Sequence, residues 1–144
     1  MPRDIPVGNN KFLLCFDKEY RIRDIYFPHV GQENHSNGNP FRLGLFMKGR
    51  FSWVGGGWQR TLTYEEDTLV THVELSHPEF PLALACRDAV DFHENIYLKK
   101  ITVNNPGAEK LSLELFFSQD FDLYGNSVGD TAAYDPRSGG VLHY

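Results

Sequence analysis

Apolar and polar residues alternate with a period of two along most of the chain, a pattern typical of half-buried β-strands. The alternation is clearest from Leu111 to Phe117. It follows Asn104 to Gly107, where Pro and Gly occupy the central positions of a type II turn. Roughly ten short runs of this kind recur, separated by turn residues about every eight to twelve positions, and no stretch keeps a helical period. The sequence therefore predicts an all-β fold, an antiparallel β-sandwich.

The chain of 144 residues has the length of one domain, and no repeat, linker or low-complexity tract divides it. We therefore expect a single β-sandwich domain over residues 1–144. Gly125 to Gly140 is rich in turn residues and predicts a long loop. Val141 to Tyr144 begins another strand, so we expect the chain to be a portion of a longer N-terminal domain. An interrupted sandwich leaves an unpaired edge or an open sheet face, which favours a homodimer of the isolated chain.

The stretch from Arg23 to His35 joins a strand to a polar loop. The strand pattern ends at Pro28, because proline has no N–H to donate to a β-ladder. Gly31 to His35 then predict a loop, and the Asn- and Gly-rich residues that follow extend it. Aromatic, histidine, carboxylate and amide side chains are thus placed at the rim of a sheet, where binding residues are often found. We name residues 26–35 the central loop.

Four segments carry a resemblance to a known family: YFPHVGQENH at residues 26–35, Trp58 to Thr71, Cys86 to Asn105 and Leu115 to Pro136. In this order they resemble the N-terminal β-sandwich domain of bacterial and archaeal glucoamylase-type enzymes, glycoside hydrolase family 15. The resemblance implies a parent enzyme that inverts the anomeric centre of α-glucans such as starch or maltooligosaccharides, or of a related α-glucoside, without a cofactor. It also implies that the partner of this chain is a C-terminal (α/α)6 barrel of the same polypeptide, which carries both catalytic glutamates. This chain would then supply no catalytic residue and would support folding and docking of the barrel.

The central loop is where the resemblance places the contact between these two domains. The residues expected to touch the barrel are Tyr26, Phe27, Pro28 and His29, and those expected to approach the glucan pocket are Gln32, Glu33, Asn34 and His35. The alternative is a self-contained loop that is closed by its own hydrogen bonds.

Two tryptophans, Trp53 and Trp58, frame three consecutive glycines and are candidates for stacking on sugar rings. The alternative is that these large rings fill the sandwich core, since aromatic side chains are more often buried. Exposed rings would favour a stand-alone carbohydrate-binding module as the function. An exposed apolar face without sugar binding would favour a purely structural interaction domain.

The acidic residues give no catalytic pair, because hydrolysis of a glycosidic bond needs two carboxylates at a set separation. Glu65 to Asp67 is typical of a solvated turn, and Asp88, Asp91 and Glu94 are expected to make structural hydrogen bonds at strand ends.

Neighbouring histidines and a carboxylate raise the question of a metal. His29, Glu33 and His35 lie close in sequence, yet a Gly- and Asn-rich loop holds ligands poorly, so we expect no metal site. Cys15 and Cys86 lie in apolar runs and are expected to be buried thiols.

The charge of the chain argues against several partners. The formal net charge is -5, and the adjacent basic residues Lys99 and Lys100 lie inside a strand pattern, where we expect them to be solvated. Nucleic-acid binding needs clustered cations, so we expect none. The N-terminus lacks the apolar core of a signal peptide, and no apolar run approaches a membrane span, so we expect a cytoplasmic protein that does not bind membranes.

Overall fold

The computed structural model describes residues 5–126 and 128–144, and in them twelve strands and one 3₁₀ turn form the regular structure. The strands are β1 (Ile5–Gly8), β2 (Leu13–Phe16), β3 (Ile22–Tyr26), β4 (Arg42–Met47), β5 (Arg50–Trp53), β6 (Gln59–Tyr64), β7 (Thr71–His77), β8 (Phe80–Val90), β9 (Tyr97–Asn104), β10 (Glu114–Ser118), β11 (Ala132–Asp135) and β12 (Gly140–His143). The 3₁₀ turn covers Leu123–Gly125. The prediction of an all-β fold is confirmed.

The strands pair antiparallel and form four sheets. One sheet has the order β1-β2-β3, a second β10-β4-β5 and a third β6-β7-β8-β9, while β11 and β12 form a separate hairpin. The three larger sheets contribute to one hydrophobic cluster, as expected for a β-sandwich. In the part of the chain that the structure describes, no helix is long and apolar enough to cross a membrane.

The core is built from alternate residues of each strand, because successive side chains of a strand point to opposite faces of the sheet. In β8, Leu82, Leu84 and Cys86 all point inward and are buried. They belong to the same cluster as Leu14 of β2 and Leu45 of β4. We call the face of the four-stranded sheet that carries Leu84 its inner face, and the opposite face its outer face.

The hairpin between β4 and β5 is tight. Lys48 and Gly49 form its turn with φ angles of 51° and 77°. Positive φ at both central positions is the type I′ geometry, whose twist matches that of the two strands. Met47 and Arg50 pair directly across the turn.

The prediction of one long loop from Gly125 to Gly140 is wrong, since β11 lies within it and pairs with β12. The turn residues in this segment form hydrogen bonds with one another. The Asp135 carboxylate accepts hydrogen bonds from the backbone N–H groups of Arg137 and Ser138, at 3.0 and 3.2 Å. The polar residues that suggested a loop therefore close a hairpin turn.

A buried carboxylate joins several of these strands. Asp88 is fully buried on the inner face of β8. It accepts hydrogen bonds from the hydroxyls of Tyr20 at 2.6 Å, Thr71 at 2.9 Å and Tyr97, and its carboxylate lies 2.6 Å from the ammonium of Lys99. These partners come from the β2–β3 turn, from β7 and from β9. We call these five residues the Asp88 network.

The expectation that both adjacent lysines are solvated is wrong for Lys99. Its side chain is only 15% exposed, and its ammonium lies 4.2 Å from the ring centre of Tyr20. Lys100 is exposed. Burial, together with the negative charge of Asp88, raises the pKa of Tyr20 and of Tyr97 well above the usual range.

Candidate functional site

The central loop leaves β3 through a cis peptide bond between Phe27 and Pro28 and then returns to the same strand. Asn34 forms a bridge with Tyr26, and the backbone N–H of His35 donates to the carbonyl of Ile25 at 2.7 Å. The loop is therefore anchored to the strand that precedes it at both of its ends.

The side chain of Asn34 fixes the base of the loop. Its carbonyl oxygen accepts hydrogen bonds from the backbone N–H of Ile25 at 3.0 Å and from the hydroxyl of Ser36 at 2.9 Å. Its amide group donates to the carboxylate of Asp24 at 3.0 Å. Because both the oxygen and the nitrogen of this amide form hydrogen bonds within the domain, Asn34 has a structural role in the loop.

His35 is 5% exposed, and both of its ring nitrogens have partners. Nδ1 accepts a hydrogen bond from the backbone N–H of Tyr124 at 3.2 Å, so Nε2 carries the proton and donates to the carbonyl of Phe27 at 2.6 Å. The carbonyl of His35 accepts a further bond from the backbone N–H of Asp122 at 2.8 Å. His35 thus joins the central loop to the segment around the 3₁₀ turn.

The other predicted loop residues differ in exposure. His29 and Gln32 are exposed, whereas Tyr26, Phe27, Pro28 and Glu33 are half-buried. The structure therefore divides the predicted set in two. Asn34 and His35 hold the loop from inside, and the tip around His29 and Gln32 faces outward.

A cleft of about 600 Å³ lies beside the loop. The loop contributes Phe27 and His35 to its wall, and the segment after β10 contributes Phe121 and Tyr124. Other lining residues include the polar or ring-bearing Asn95, Tyr97, Gln119 and His143, and apolar side chains of the core such as Leu14 and Ile25. A smaller cavity of about 210 Å³ shares Tyr97 and Gln119 with the cleft and reaches Lys99 of the Asp88 network.

The cleft walls combine aromatic rings with amide and imidazole groups. Such a lining suits the noncovalent binding of a ring or of an apolar side chain, with a few polar groups to orient it. Sequence reasoning identified the residues of the central loop but did not place Phe121, Tyr124 and Tyr97 beside it, because they lie far along the chain. Long-range contacts bring them to the loop: the backbone N–H groups of Asp122 and Tyr124 both donate to His35, and β9 pairs with β8.

The two tryptophans lie in different environments. Trp58 is 5% exposed within the core cluster, and its indole N–H donates to the hydroxyl of Ser52 at 3.0 Å. A sugar ring therefore has no access to the face of Trp58, and the alternative of a core position applies to it. Trp53 is 37% exposed and keeps an accessible ring.

Trp53 belongs to a group of exposed rings that sequence reasoning missed. Phe51 packs edge-on against Trp53, with ring centres 4.8 Å apart, and Phe116 packs edge-on against Phe51 at 5.5 Å. Gly44 lies beneath them, and a Cβ there would come within 2.8 Å of both Phe51 and Trp53. We call Phe51, Trp53 and Phe116 the aromatic patch. The register of β10-β4-β5, in which Gly44 pairs with Trp53 and Phe116, is the signal that would have revealed it.

The acidic residues considered in the sequence have local partners. Glu65 accepts a hydrogen bond from Arg87 and lies 3.0 Å from Nδ1 of His72, and the bond to His72 is the main reason why the pKa of Glu65 is lowered. Asp91 accepts bonds from the backbone N–H groups of His93 and Glu94, as expected for a structural residue. No group of three or more His, Cys, Asp or Glu residues that could hold a metal ion occurs among residues 5–126 and 128–144.

Comparison with known proteins gives one informative similarity. No protein-family model matches the chain, and no solved structure matches it significantly. The chain is 24% identical over 128 residues to a protein of Methanocaldococcus jannaschii named as an uncharacterized glycosyl hydrolase. The matched region covers 89% of this chain and 20% of that relative. The chain thus spans about a fifth of the length of the curated relative it matches.

Proposed function

We propose that the chain is the non-catalytic N-terminal β-sandwich domain of a glucoamylase-like glycoside hydrolase that acts on α-glucans. The observation that carries the proposal is the similarity of nearly the whole chain to one fifth of a glycosyl hydrolase. A match that covers most of a short chain and a small part of a long one is expected when a small accessory domain is joined to a larger catalytic domain. The resemblance of residues 26–35 to the family 15 motif supports the same assignment.

The central loop is the proposed contact with the catalytic barrel. His29 at its exposed tip and the half-buried Tyr26, Phe27 and Pro28 make this contact, while exposed Gln32 and half-buried Glu33 approach the glucan pocket. Asn34 and His35 act indirectly, because their hydrogen bonds fix the position of the tip. A loop that is already ordered loses little conformational entropy when it docks, which favours a stable interface.

The first test is to read the gene beyond the codon of Tyr144. We expect the frame to continue into a helix-rich region with two well-separated glutamates, and a stop codon would refute the proposal. In the full-length enzyme, the double variant H29A/Q32A should then lower kcat/KM for maltooligosaccharides about tenfold, or ~1.4 kcal/mol in transition-state binding. Gln59→Ala on exposed β6 is the matched control and should leave kcat/KM unchanged. Equal activity of the loop variant and the control would contradict the role of the loop.

A second candidate function, a carbohydrate-binding module, rests on the aromatic patch. Three clustered and partly exposed rings offer apolar faces of the kind that pack against pyranose rings. This function predicts that the 144-residue chain binds maltoheptaose and that binding changes the fluorescence of exposed Trp53. Isothermal titration calorimetry, which does not depend on the indole, should show that Trp53→Ala abolishes the binding, whereas Leu69→Ala, at another exposed apolar residue, does not. An unchanged fluorescence at millimolar sugar would exclude this function.

A further inference from the structure

The longest free edge in the structure belongs to β9. This strand ends the four-stranded sheet and pairs on one side with β8, in an unbroken register from Val90↔Tyr97 to Ala83↔Asn104. Within residues 5–126 and 128–144, no strand pairs with its other side. The other terminal strands of the three larger sheets, β1, β3, β5, β6 and β10, are all shorter. The backbone N–H and C=O groups along the outer side of β9 are thus a ready template for another strand.

Natural edge strands are usually protected by charges, prolines or bulges. β9 contains no proline and no register shift. Of its two lysines, Lys99 turns inward to Asp88, so Lys100 is the exposed charge that remains. Leu98 is 56% exposed and Val103 is 38% exposed, and they point to opposite faces of the sheet. An added strand would therefore cover apolar surface on both sides of the edge.

We propose that the β9 edge is the dimerisation site of this chain, and that two copies pair β9 with β9 in an antiparallel and symmetric arrangement. The length and the charges of the strand together select the register, because only Lys100 or Ile101 on the two-fold axis pairs seven of the eight residues of β9. With Lys100 on the two-fold axis, or with Lys99 on it, two like charges would stand directly opposite each other, which is unfavourable. With Ile101 on the axis, Lys100 lies opposite Thr102 of the second copy, and Leu98 lies opposite Asn104.

This register also keeps the two sandwiches on the same side of the joined sheet. Directly opposed residues of an antiparallel pair point to the same face, and here inner-face residues oppose inner-face residues throughout. Ile101 meets its own copy, and Lys99 meets Val103. The product is a continuous eight-stranded sheet with a two-fold axis perpendicular to it, which is the closed symmetry expected of a dimer.

Sedimentation velocity over about 10 µM to about 1 mM tests the association, because the dimer fraction must rise with concentration. Thr102→Lys places two like-charge pairs in the interface and should weaken dimerisation roughly fivefold, whereas Thr102→Glu, opposite Lys100, should strengthen it by a similar factor. Thr102 is half-buried on the outer face, so both variants are expected to fold. Thr61→Lys and Thr61→Glu, on the outer face of β6 at the other edge of this sheet, are the matched controls and should have no effect.

Cross-linking tests the register separately. Because Cys86 pairs directly with Ile101 across β8 and β9, the cysteine variants are made in a Cys86→Ala background. Cys15 is fully buried, so a thiol introduced by Ile101→Cys should then be the one that forms an intermolecular disulfide under mild oxidation. Lys100→Cys should cross-link poorly alone but readily when mixed with Thr102→Cys. A strictly monomeric chain at about 1 mM would overturn the proposal. So would a dimer that responds equally to the Thr102 and Thr61 variants, since that dimer would use another surface.

Discussion

Breaking the ion pair between Asp88 and Lys99 should destabilise the fold strongly, because the pair lies inside the protein. Asp88 is fully buried and the side chain of Lys99 is 15% exposed. Asp88→Asn keeps the shape of the side chain but leaves the ammonium of Lys99 without its counterion. Removing one partner of a buried pair costs about 3–5 kcal/mol, and the slight exposure of Lys99 favours the lower figure of about 3 kcal/mol.

Removing Lys99 instead of Asp88 should lower the free energy of unfolding by less. Lys99→Met leaves the carboxylate of Asp88 buried, yet the carboxylate keeps the hydroxyls of Tyr20, Tyr97 and Thr71 as hydrogen-bond donors. We expect a loss of about 2 kcal/mol, since hydrogen bonds to a charged acceptor offset part of its desolvation. The double variant D88N/K99M buries neither charge. The double variant should lose about 2 kcal/mol less free energy of unfolding than the two single variants lose together, and this difference is the coupling energy of the pair.

Urea unfolding followed by tryptophan fluorescence measures these differences. A loss of about 3 kcal/mol lowers the midpoint by roughly 1–3 M urea for a protein of this size. Arg50→Met is the matched control, because Arg50 and Glu79 form an ion pair at 3.4 Å whose side chains are 62% and 57% exposed. An exposed pair contributes at most about 1 kcal/mol. Additive costs in the double variant, or single costs no larger than that of Arg50→Met, would refute the role assigned to the Asp88 network.

Other contacts set further expectations. Because burial raises the pKa of Tyr20 and Tyr97, the folded chain keeps two protons that the unfolded chain loses above pH of about 10. Stability should therefore be full below that pH and decline above it, and an equally steep decline in the double variant Y20F/Y97F, which lacks both hydroxyls, would contradict this. His35→Ala removes a buried ring with two bonded nitrogens and should lower the free energy of unfolding by about 2 kcal/mol, against less than ~0.5 for exposed His29→Ala, both measured in urea. Burial raises the pKa of Cys86 to about 11, so iodoacetamide should alkylate this thiol at neutral pH only after unfolding, and rapid labelling of the folded chain would exclude the buried position.

The periodic parts of the fold could be predicted from the sequence. The alternation of Leu82, Leu84 and Cys86 predicts which face of β8 is buried, and the Lys-Gly pair predicts the hairpin between β4 and β5. Both features depend on local geometry alone. β11 could not be predicted in the same way, because a strand of four residues, Ala132–Asp135, lies among turn residues and is defined only by its pairing with β12.

The burial of polar residues was harder to predict, although one signal was present. Asp88 follows Leu84 and Cys86 at the same spacing of two, which places a carboxylate on the buried face of β8. A buried carboxylate requires partners, and the inward positions of β9 supply Tyr97 and Lys99. The pattern predicts that the carboxylate needs a cation, but only the register between β8 and β9 identifies it as Lys99.

The Asp88 network and the cleft share one residue, Tyr97, and this links the stability of the fold to the shape of the cleft. The hydroxyl of Tyr97 donates to Asp88, while the same side chain lines the cleft beside the central loop. The ring of His35 also lines the cleft and is held by Phe27 and Tyr124. Both side chains are therefore fixed by hydrogen bonds, so a group that enters the cleft meets an already ordered surface and loses less free energy to ordering. Asp88→Asn removes the charged acceptor that holds Tyr97. The variant should therefore lower the affinity of the cleft for a bound ring or apolar side chain, even though Asp88 itself does not line the cleft.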